Sequence, residues 1–458
     1  MQKFISKFAV AAHLALAMVS PLFLFPFGAQ PDTVATVMAW LTLPAAMWVV
    51  MEPSRHAEEM LHDARARLAH SIVVDPLFWC FVALFVFALI RFCNDGVGMA
   101  YDAENLVWTL KPQMWPVMPG VVSGHGAVEM MSVVTACVVV MGCRHALGKT
   151  ARLFFISAAS FFAALAAIVA IVAGLYEMPA VVAAVAPAFT KPDFVGVGFG
   201  VFALCAIPAI PGAFESKWNK FVFIHVLSLG ICSAACVIFS PSETIALFGI
   251  AAIVVILVSF AWAVGRLGSV KSLKCFFSYV GAGVVAVLLY VALVPDQVRV
   301  DRFAPFLGAG FFRDSFFEAR AALSTIAAKA WKEHPWIGSG LGSFQLDIRF
   351  LATPENWKAI WINQQLPMSA WWYIIAERGI TGAVTLALPL GMMTFTFIRR
   401  LFRLFNKSFF LPGVVLGLVA IAVAVAESFM DVSFLRPELL VAIPALFAIS
   451  ANSLPPLK

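Results

Sequence analysis

Charged residues are scarce in this sequence. Only 12% of its 458 residues are Asp, Glu, Lys or Arg, about half of the roughly 25% that is usual for soluble domains. Hydrophobic residues make up 62% of the chain, and the mean hydropathy is +0.93. This composition excludes a soluble enzyme, a nucleic-acid-binding protein and a disordered chain, because each of these needs a far more polar surface. It predicts a polytopic membrane protein.

Cysteine usage gives no sign of a disulfide framework or a metal site. All eight cysteines lie in or at the edge of apolar stretches. Cys232 and Cys236 are four residues apart in one apolar run, a spacing that favours packing on one helix face over metal binding. We therefore expect no cofactor and no bound metal.

Apolar segments of the length needed to cross a bilayer, about 20 residues each, recur about twelve times. The first runs from the N-terminus to about Phe27, which is long for a signal peptide, and the next span follows at once, so we interpret it as a span. The remaining segments lie near residues 36–51, 73–92, 126–143, 153–174, 194–211, 221–240, 243–263, 275–294, 379–398, 410–428 and 438–452.

The distribution of basic residues predicts the orientation. Short outer segments hold little beyond Lys111, Lys191 and Arg436, with Arg91 at an edge. Because basic residues concentrate in cytoplasmic loops, both termini are predicted to be cytoplasmic. The residues that then fall inside are Lys3, Lys7, Arg55, Arg65, Arg67, Arg144, Lys149, Arg152, Lys217, Lys220, Arg266, Lys271, Lys274, Arg399, Arg400, Arg403, Lys407 and Lys458.

The predicted fold class is an all-α polytopic membrane protein with about twelve transmembrane helices. Only helices and closed barrels satisfy the backbone in lipid, and spans of about 20 residues are too long for barrel strands. We predict one integrated membrane domain. It comprises an N-terminal bundle of about nine spans (1–294), a large, partly helical periplasmic loop (295–378, the large loop) and about three C-terminal spans (379–458).

The large loop carries the most concentrated polar chemistry of the chain. Its middle part predicts an amphipathic helix ended by Pro335, because one apolar face recurs at steps of three and four residues. A glycine-rich turn, GSGLGSF, and a tryptophan-rich segment follow. A long loop with this much predicted order is typically functional. The residues of the apolar face are Phe316, Ala319, Leu323, Ile326 and Ala330.

Two blocks of this region carry a resemblance to a known family. The first is EARAALSTIAAKAWKEHPWIGSGLGSF and the second is YIIAERGITG. Together they resemble the periplasmic loop of the O-antigen ligase and O-antigen polymerase (Wzy-type) superfamily, bacterial membrane proteins that join lipid-linked glycans. The positions that fit the family's pattern are Arg320, Pro335, Gly338, Gly340, Phe344, Glu377, Gly379 and Gly382.

The resemblance implies the architecture of GT-C-like membrane glycosyltransferases in the bacterial inner membrane. It implies transfer of a glycan from undecaprenyl diphosphate to a lipid or glycan acceptor at the periplasmic face, without a metal. Two departures stand out: Met368 and Ser369 occupy the place of the family's His-Asn pair, and Glu243 stands where an Arg is expected. Other residues have then taken these roles, the acceptor differs, or activity has been lost.

Arg320 is the leading catalytic candidate, because a guanidinium offers a planar, bidentate fork to the departing diphosphate. The alternative is an exposed helix residue that pairs with Glu318 or Asp314. His125 and Glu129 are the other catalytic candidates. They are four residues apart and share one helix face, so Glu129 can orient His125, which either donates a hydrogen bond to a sugar or acts as the general base. The alternative is an interfacial histidine at a helix start.

Further residues are predicted to bind the diphosphate or the glycan. The arginines among them have the alternative of contacting solvent or lipid headgroups, and Glu377 has the alternative of fixing the exit of the large loop or pairing with Arg378. These substrate-binding candidates are Arg302, Arg313, Arg349, Glu377 and Glu243.

Two other functions compete with glycan transfer. A transporter or flippase would need paired charges near mid-membrane and broken helices in related halves, but the sequence shows no internal repeat, and the one large outer loop is unlike that of a simple carrier. A catalytically silent scaffold of a surface-polysaccharide assembly complex is favoured by Met368 and Glu243. The expected partners are the lipid-linked glycan donor, its acceptor, membrane lipids and polysaccharide-assembly proteins, with no nucleic acid.

Overall fold

The computed structural model describes most of the chain as helix. It describes residues 2–24, 31–50, 68–94, 99–102, 107–110, 125–175, 192–215, 222–240, 242–294, 314–340, 342–344, 348, 351–354, 369–401, 414, 417–418, 421–422, 425 and 437–452.

In chain order the helices are α1 (Gln2–Leu24), α2 (Pro31–Val50), α3 (Pro76–Cys93), α4 (His125–Met141), α5 (Lys149–Leu175), α6 (Pro192–Glu215), α7 (Val222–Phe239), α8 (Ser242–Leu267), α9 (Ser269–Leu293), α10 (Asp314–Glu333), α11 (Ala370–Leu401) and α12 (Pro437–Asn452). A π-helical turn (Gly142–Ala146) extends α4. The one pair of strands in the described part, β1 (Met99–Asp102) and β2 (Val107–Leu110), forms an antiparallel hairpin between α3 and α4, which the sequence analysis did not predict.

The chain is a multi-pass membrane protein. Eight described helices are long and apolar enough to cross a membrane, namely α3 to α9 and α11. Helices α1 and α2 hold shorter apolar stretches, Phe8–Leu24 and Thr33–Ala46. The twelve-span layout stays a prediction, because most of the expected span near 410–428 lies outside the described residues.

Helix α6 lies at the centre of the bundle and α8 and α9 lie at its edge. Within their apolar windows, 94% of residues are buried in α6 but only 22% in α8 and 17% in α9. The contact of α6 with α8 is close: a Cβ at Gly200 would lie 2.7 Å from the Phe248 ring. Large apolar side chains on α8 and α9, such as Leu257 and Leu288, are exposed and suit contact with lipid.

The amphipathic helix of the large loop is present as predicted. Helix α10 ends at Glu333, two residues before Pro335. Three residues of its predicted apolar face, Leu323, Ile326 and Ala330, are buried, and α10 packs against α11. Helix α11 in turn packs against α3 and α12, and α3 packs against α4.

Candidate functional site

Helix α11 is broken near its start, and the glycine-rich turn of the large loop fills the break. At Gly379 the backbone leaves helical geometry, with φ 62° and ψ −168°. A continuous helix would bond the Ile380 and Thr381 N–H groups to the carbonyls of Ala376 and Glu377. The break separates these groups and leaves each without its helical partner.

The turn supplies new partners for all four groups. The Ile380 and Thr381 N–H groups donate to the carbonyls of Pro335 (3.0 Å) and Trp336 (3.0 Å). The carbonyls of Ala376 and Glu377 accept from the N–H groups of Ser339 (2.9 Å) and Gly340 (3.1 Å), respectively. The turn and the break therefore satisfy each other's backbone hydrogen-bonding groups.

Two glycines allow this close approach. Gly338 has φ +78°, and a Cβ there would collide with the backbone of Glu377 and Arg378. A Cβ on Gly379 would lie 2.5 Å from backbone atoms of Trp336 and Ile337. Both residues have positive φ, which glycine tolerates best. The two blocks identified separately in the sequence thus meet in one structural unit, which we call the turn–break unit (335–340, 342–344 and 376–381).

Four charged side chains lie in or beside the turn–break unit, and we call them the charge cluster: Arg91, Glu129, Glu377 and Arg378. Each is at most 7% exposed. Arg91, in the last turn of α3, donates from Nη2 to the Glu377 carbonyl (2.9 Å). Nη1 of Arg378 forms an ion pair with Oε1 of Glu129 (3.2 Å). The cluster therefore joins α3 and α4 to the break in α11.

Glu377 also holds the far end of the turn. Its Oε1 accepts from the Phe344 N–H (3.4 Å), and the Phe344 ring meets Tyr373 edge-on, with 6.2 Å between ring centroids. The Tyr373 hydroxyl lies beside the Glu377 carboxylate. Glu377 thus contacts the turn through both its backbone and its side chain.

The charge cluster keeps unused hydrogen-bonding capacity. Within the described part of the chain, five of its buried atoms have no hydrogen-bond partner: Nε and Nη1 of Arg91, Nε of Arg378, Oε2 of Glu129 and Oε2 of Glu377. Among these four described side chains, only Arg378 and Glu129 form an ion pair. Buried charged groups left this way are costly, and ionisable residues in membrane segments are functional candidates by default.

The charge cluster lies at one end of the spans. Helix α3 has 18 residues, which corresponds to about 27 Å at about 1.5 Å per residue, close to the roughly 30 Å of a hydrocarbon core. Arg91 lies at its large-loop end. At the other end, Oδ2 of Asp75 accepts from Nε of Arg144 (2.8 Å) and contacts Nε2 of His145 (2.9 Å). Charged groups therefore mark both ends of the α3–α4 pair.

Asp75 is an anion in this setting. Burial disfavours its charged form, but the hydrogen bond with His145 and the positive charge of Arg144 outweigh burial, so the pKa of Asp75 is lowered from its ordinary value. Its other oxygen, Oδ1, caps α3 by accepting from the Leu77 N–H (3.1 Å).

A small cavity adjoins the charge cluster between α3, α4, α11 and α12. Glu129, Ser132 and Arg378 line it, and its other walls are apolar. The cavity volume is about 30 Å³, enough for about two waters at roughly 10–15 Å³ each.

The structure brings together two of the predicted site residues, Glu129 and Glu377, in the charge cluster. Glu377 contacts the glycine-rich turn of the large loop, and its predicted role in substrate binding stays a prediction. The alternative of a pair with Arg378 is wrong, because Arg378 pairs with Glu129.

The remaining predicted residues are placed only in part. His125 begins α4, Glu243 lies in α8 and Arg320 lies in α10, but their side chains are outside the described part of the structure. Arg302, Arg313 and Arg349 lie outside the described residues altogether. Convergence of Arg320 and His125 on one cavity therefore stays a prediction.

Arg91 and Arg378 were not among the predicted site residues. A signal for Arg91 was present, because it is an isolated cation at the edge of an apolar span. Its partner Glu377 is 286 positions away in the sequence, and no local pattern connects the two.

Among the residues that the structure describes, no group of three or more His, Cys, Asp or Glu side chains could hold a metal ion, and all eight cysteines are free thiols. No protein-family model and no curated protein matches this sequence.

Proposed function

We propose that the protein transfers a glycan from undecaprenyl diphosphate to a lipid or glycan acceptor at the periplasmic face of the bacterial cytoplasmic membrane. One observation carries the proposal. The two blocks that resemble the O-antigen ligase and polymerase superfamily meet in the turn–break unit, although Gly338 and Gly379 are 379 − 338 = 41 positions apart. Motif matches that arose by chance would have no reason to interlock at one end of the spans.

In this proposal the turn–break unit positions the large loop and Arg320 meets the substrate. Arg320 stabilises the negative charge that develops on the departing diphosphate, with Arg302, Arg313 and Arg349 as further cations. The charge cluster has no net formal charge and is buried, so it supports the loop instead of binding the diphosphate.

Proton transfer is assigned to His125, which removes the proton of the acceptor hydroxyl. Glu129 lies one turn further along α4, and its Oε2 has no partner in the described part of the structure. This oxygen is available to orient the ring of His125. Helix α4 would then link the acceptor site to the turn–break unit through the Glu129–Arg378 ion pair.

The test uses a deletion strain complemented at matched protein level with wild type, Arg320→Ala or Lys329→Ala. Lys329 is an exposed cation on the same helix and serves as the control. We expect undecaprenyl-diphosphate-linked glycan to accumulate in the deletion strain and with Arg320→Ala, whereas wild type and Lys329→Ala restore the finished surface polysaccharide. Full restoration by Arg320→Ala would refute the role of Arg320.

A transporter or flippase is the second candidate, favoured by the broken helix and by the buried Glu129–Arg378 ion pair. Transporter sites of this kind lie near the bilayer midplane. Here residues 380–401 after the break would span about 33 Å at about 1.5 Å per residue, so the break lies at the end of a full span. In the same strain, accumulated glycan that a glycosidase reaches from the periplasm favours transfer. Glycan protected in the cytoplasmic leaflet favours transport.

A further inference from the structure

The hairpin of α8 and α9 ends in a basic tip. A single residue, Gly268, joins the two helices, with φ +80° and open space around the position of its absent Cβ. Three exposed cations flank it: Arg266 at the end of α8, and Lys271 and Lys274 in the first turns of α9. The tip lies at the opposite end of the spans from the large loop, because α9 runs from the tip towards residue 295.

The hairpin carries little charge apart from its tip. No Asp or Glu occurs between residues 244 and 295, and the three cations are the only Lys or Arg residues in that stretch. Large apolar side chains are exposed within and just beyond the tip: Val270 and Leu273 lie between the cations, and Val264 and Phe277 lie on either side. The cations therefore lie at the border of the exposed apolar surface.

The three cations do not have the same role. Nζ of Lys271 donates to the carbonyl of Phe214 at the end of α6 (3.3 Å), so this lysine holds the hairpin to the bundle beside the exposed Glu215. The side chains of Arg266 and Lys274 form no ion pair or hydrogen bond with the described residues. Even with Glu215 counted, the tip keeps a net positive charge.

We propose that the tip is a binding site for the phosphate headgroup of an anionic phospholipid, whose acyl chains lie along the exposed apolar faces of α8 and α9. Arg266 and Lys274 contact the phosphate, and Lys271 fixes the hairpin. Both helices are the least buried of the spans, so bilayer lipid reaches them directly. Basic residues at a membrane surface attract anionic lipid at about 1 kcal/mol each, and long cationic side chains extend from an apolar surface to the headgroup layer.

The test compares lipid retained by the full chain after reconstitution in nanodiscs of equal parts phosphatidylglycerol and phosphatidylcholine, read by native mass spectrometry. The tip variant is Arg266→Gln/Lys274→Gln. The control is Lys329→Gln/Lys332→Gln, which removes the same charge from two exposed positions of α10. No glycan substrate takes part, so the outcome is independent of the proposed glycan transfer.

We expect wild type and control to retain phosphatidylglycerol over phosphatidylcholine. In the tip variant the preference falls by up to about thirtyfold, which corresponds to about 1 kcal/mol for each cation. A tip variant with the wild-type preference would overturn the proposal. An equal loss in the control would also overturn it, because the attraction would then be a property of the overall charge.

Discussion

Gly379→Ala tests whether the turn and the break in α11 depend on each other. The φ and ψ of Gly379 (62° and −168°) fall in a region that is essentially restricted to glycine, at a cost of about 1–3 kcal/mol for other residues. The new Cβ would lie 2.5 Å from backbone atoms of Trp336 and Ile337, about 1 Å inside ordinary contact at roughly 3.5 Å. Backbone cannot rotate away as a side chain can, so the turn must move.

The loss of stability expected for Gly379→Ala depends on the hydrogen bonds that a displaced turn would lose. Four backbone hydrogen bonds join the turn to the break, each worth about 1 kcal/mol. Together with the backbone strain, Gly379→Ala is expected to lower the free energy of unfolding by about 5–7 kcal/mol. At about 2.1 cal/mol/K per residue, a chain of 458 residues loses about 1 °C of melting midpoint per kcal/mol, so the midpoint should fall by about 5–7 °C.

Unfolding can be followed with a thiol-reactive dye, because five of the eight free cysteines are buried and react once the bundle opens. Gly391→Ala is the matched control. It lies in the same helix with nothing within 4 Å of its added Cβ, and an alanine in a helix interior is favoured over glycine by about 0.5–1 kcal/mol. If Gly379→Ala and Gly391→Ala have the same melting midpoint, the proposed dependence of the turn and the break on each other is wrong.

Three further predictions concern the charged groups. Glu129→Leu should lower the free energy of unfolding by about 3–5 kcal/mol, because it leaves Arg378 buried without its ion-pair partner. The double variant Glu129→Leu/Arg378→Met should recover most of this loss. A double variant as unstable as the single variant would contradict the ion pair. Arg91→Ala should lower the melting midpoint and increase amide hydrogen exchange in the turn, because the Glu377 carbonyl loses a donor; unchanged exchange would contradict this. The pKa of Asp75 is lowered from its ordinary value of 3.8, so its stabilising effect is present above that pH and is lost as the pH falls through the lower, folded-state value. The difference in melting midpoint between wild type and Asp75→Asn should therefore be present at about pH 5 and disappear in stronger acid. A difference that grows in acid would contradict this prediction.

Patterns that act locally were predictable from the sequence. Helix α10 appeared because its apolar residues recur at helical spacing and Pro335 stops it. Spans such as α5 and α7 appeared because a run of about 20 apolar residues has few other stable states in lipid. These inferences use only residues that are close together in the chain.

The charge cluster was not predictable in the same way. Arg378 follows Glu377 in the sequence, which suggested a pair between them. Consecutive residues on a helix, however, point in different directions. Arg378 instead meets Glu129 of α4. Arg91 donates to the backbone carbonyl of Glu377. Every residue type carries a backbone carbonyl, so the sequence does not mark this contact.

The position of the turn–break unit limits how the charge cluster can act on the proposed reaction. Arg320 lies 333 − 320 = 13 residues before the end of α10, which is about 20 Å along a helix at about 1.5 Å per residue. Only His334 separates α10 from the turn, so the docked turn fixes the end of α10, and the buried face of α10 sets its rotation. The cluster therefore acts on Arg320 through the placement of a rigid helix. For this reason loss of Arg91 should impair transfer by displacing α10, whereas loss of Arg320 should impair it with the fold unchanged.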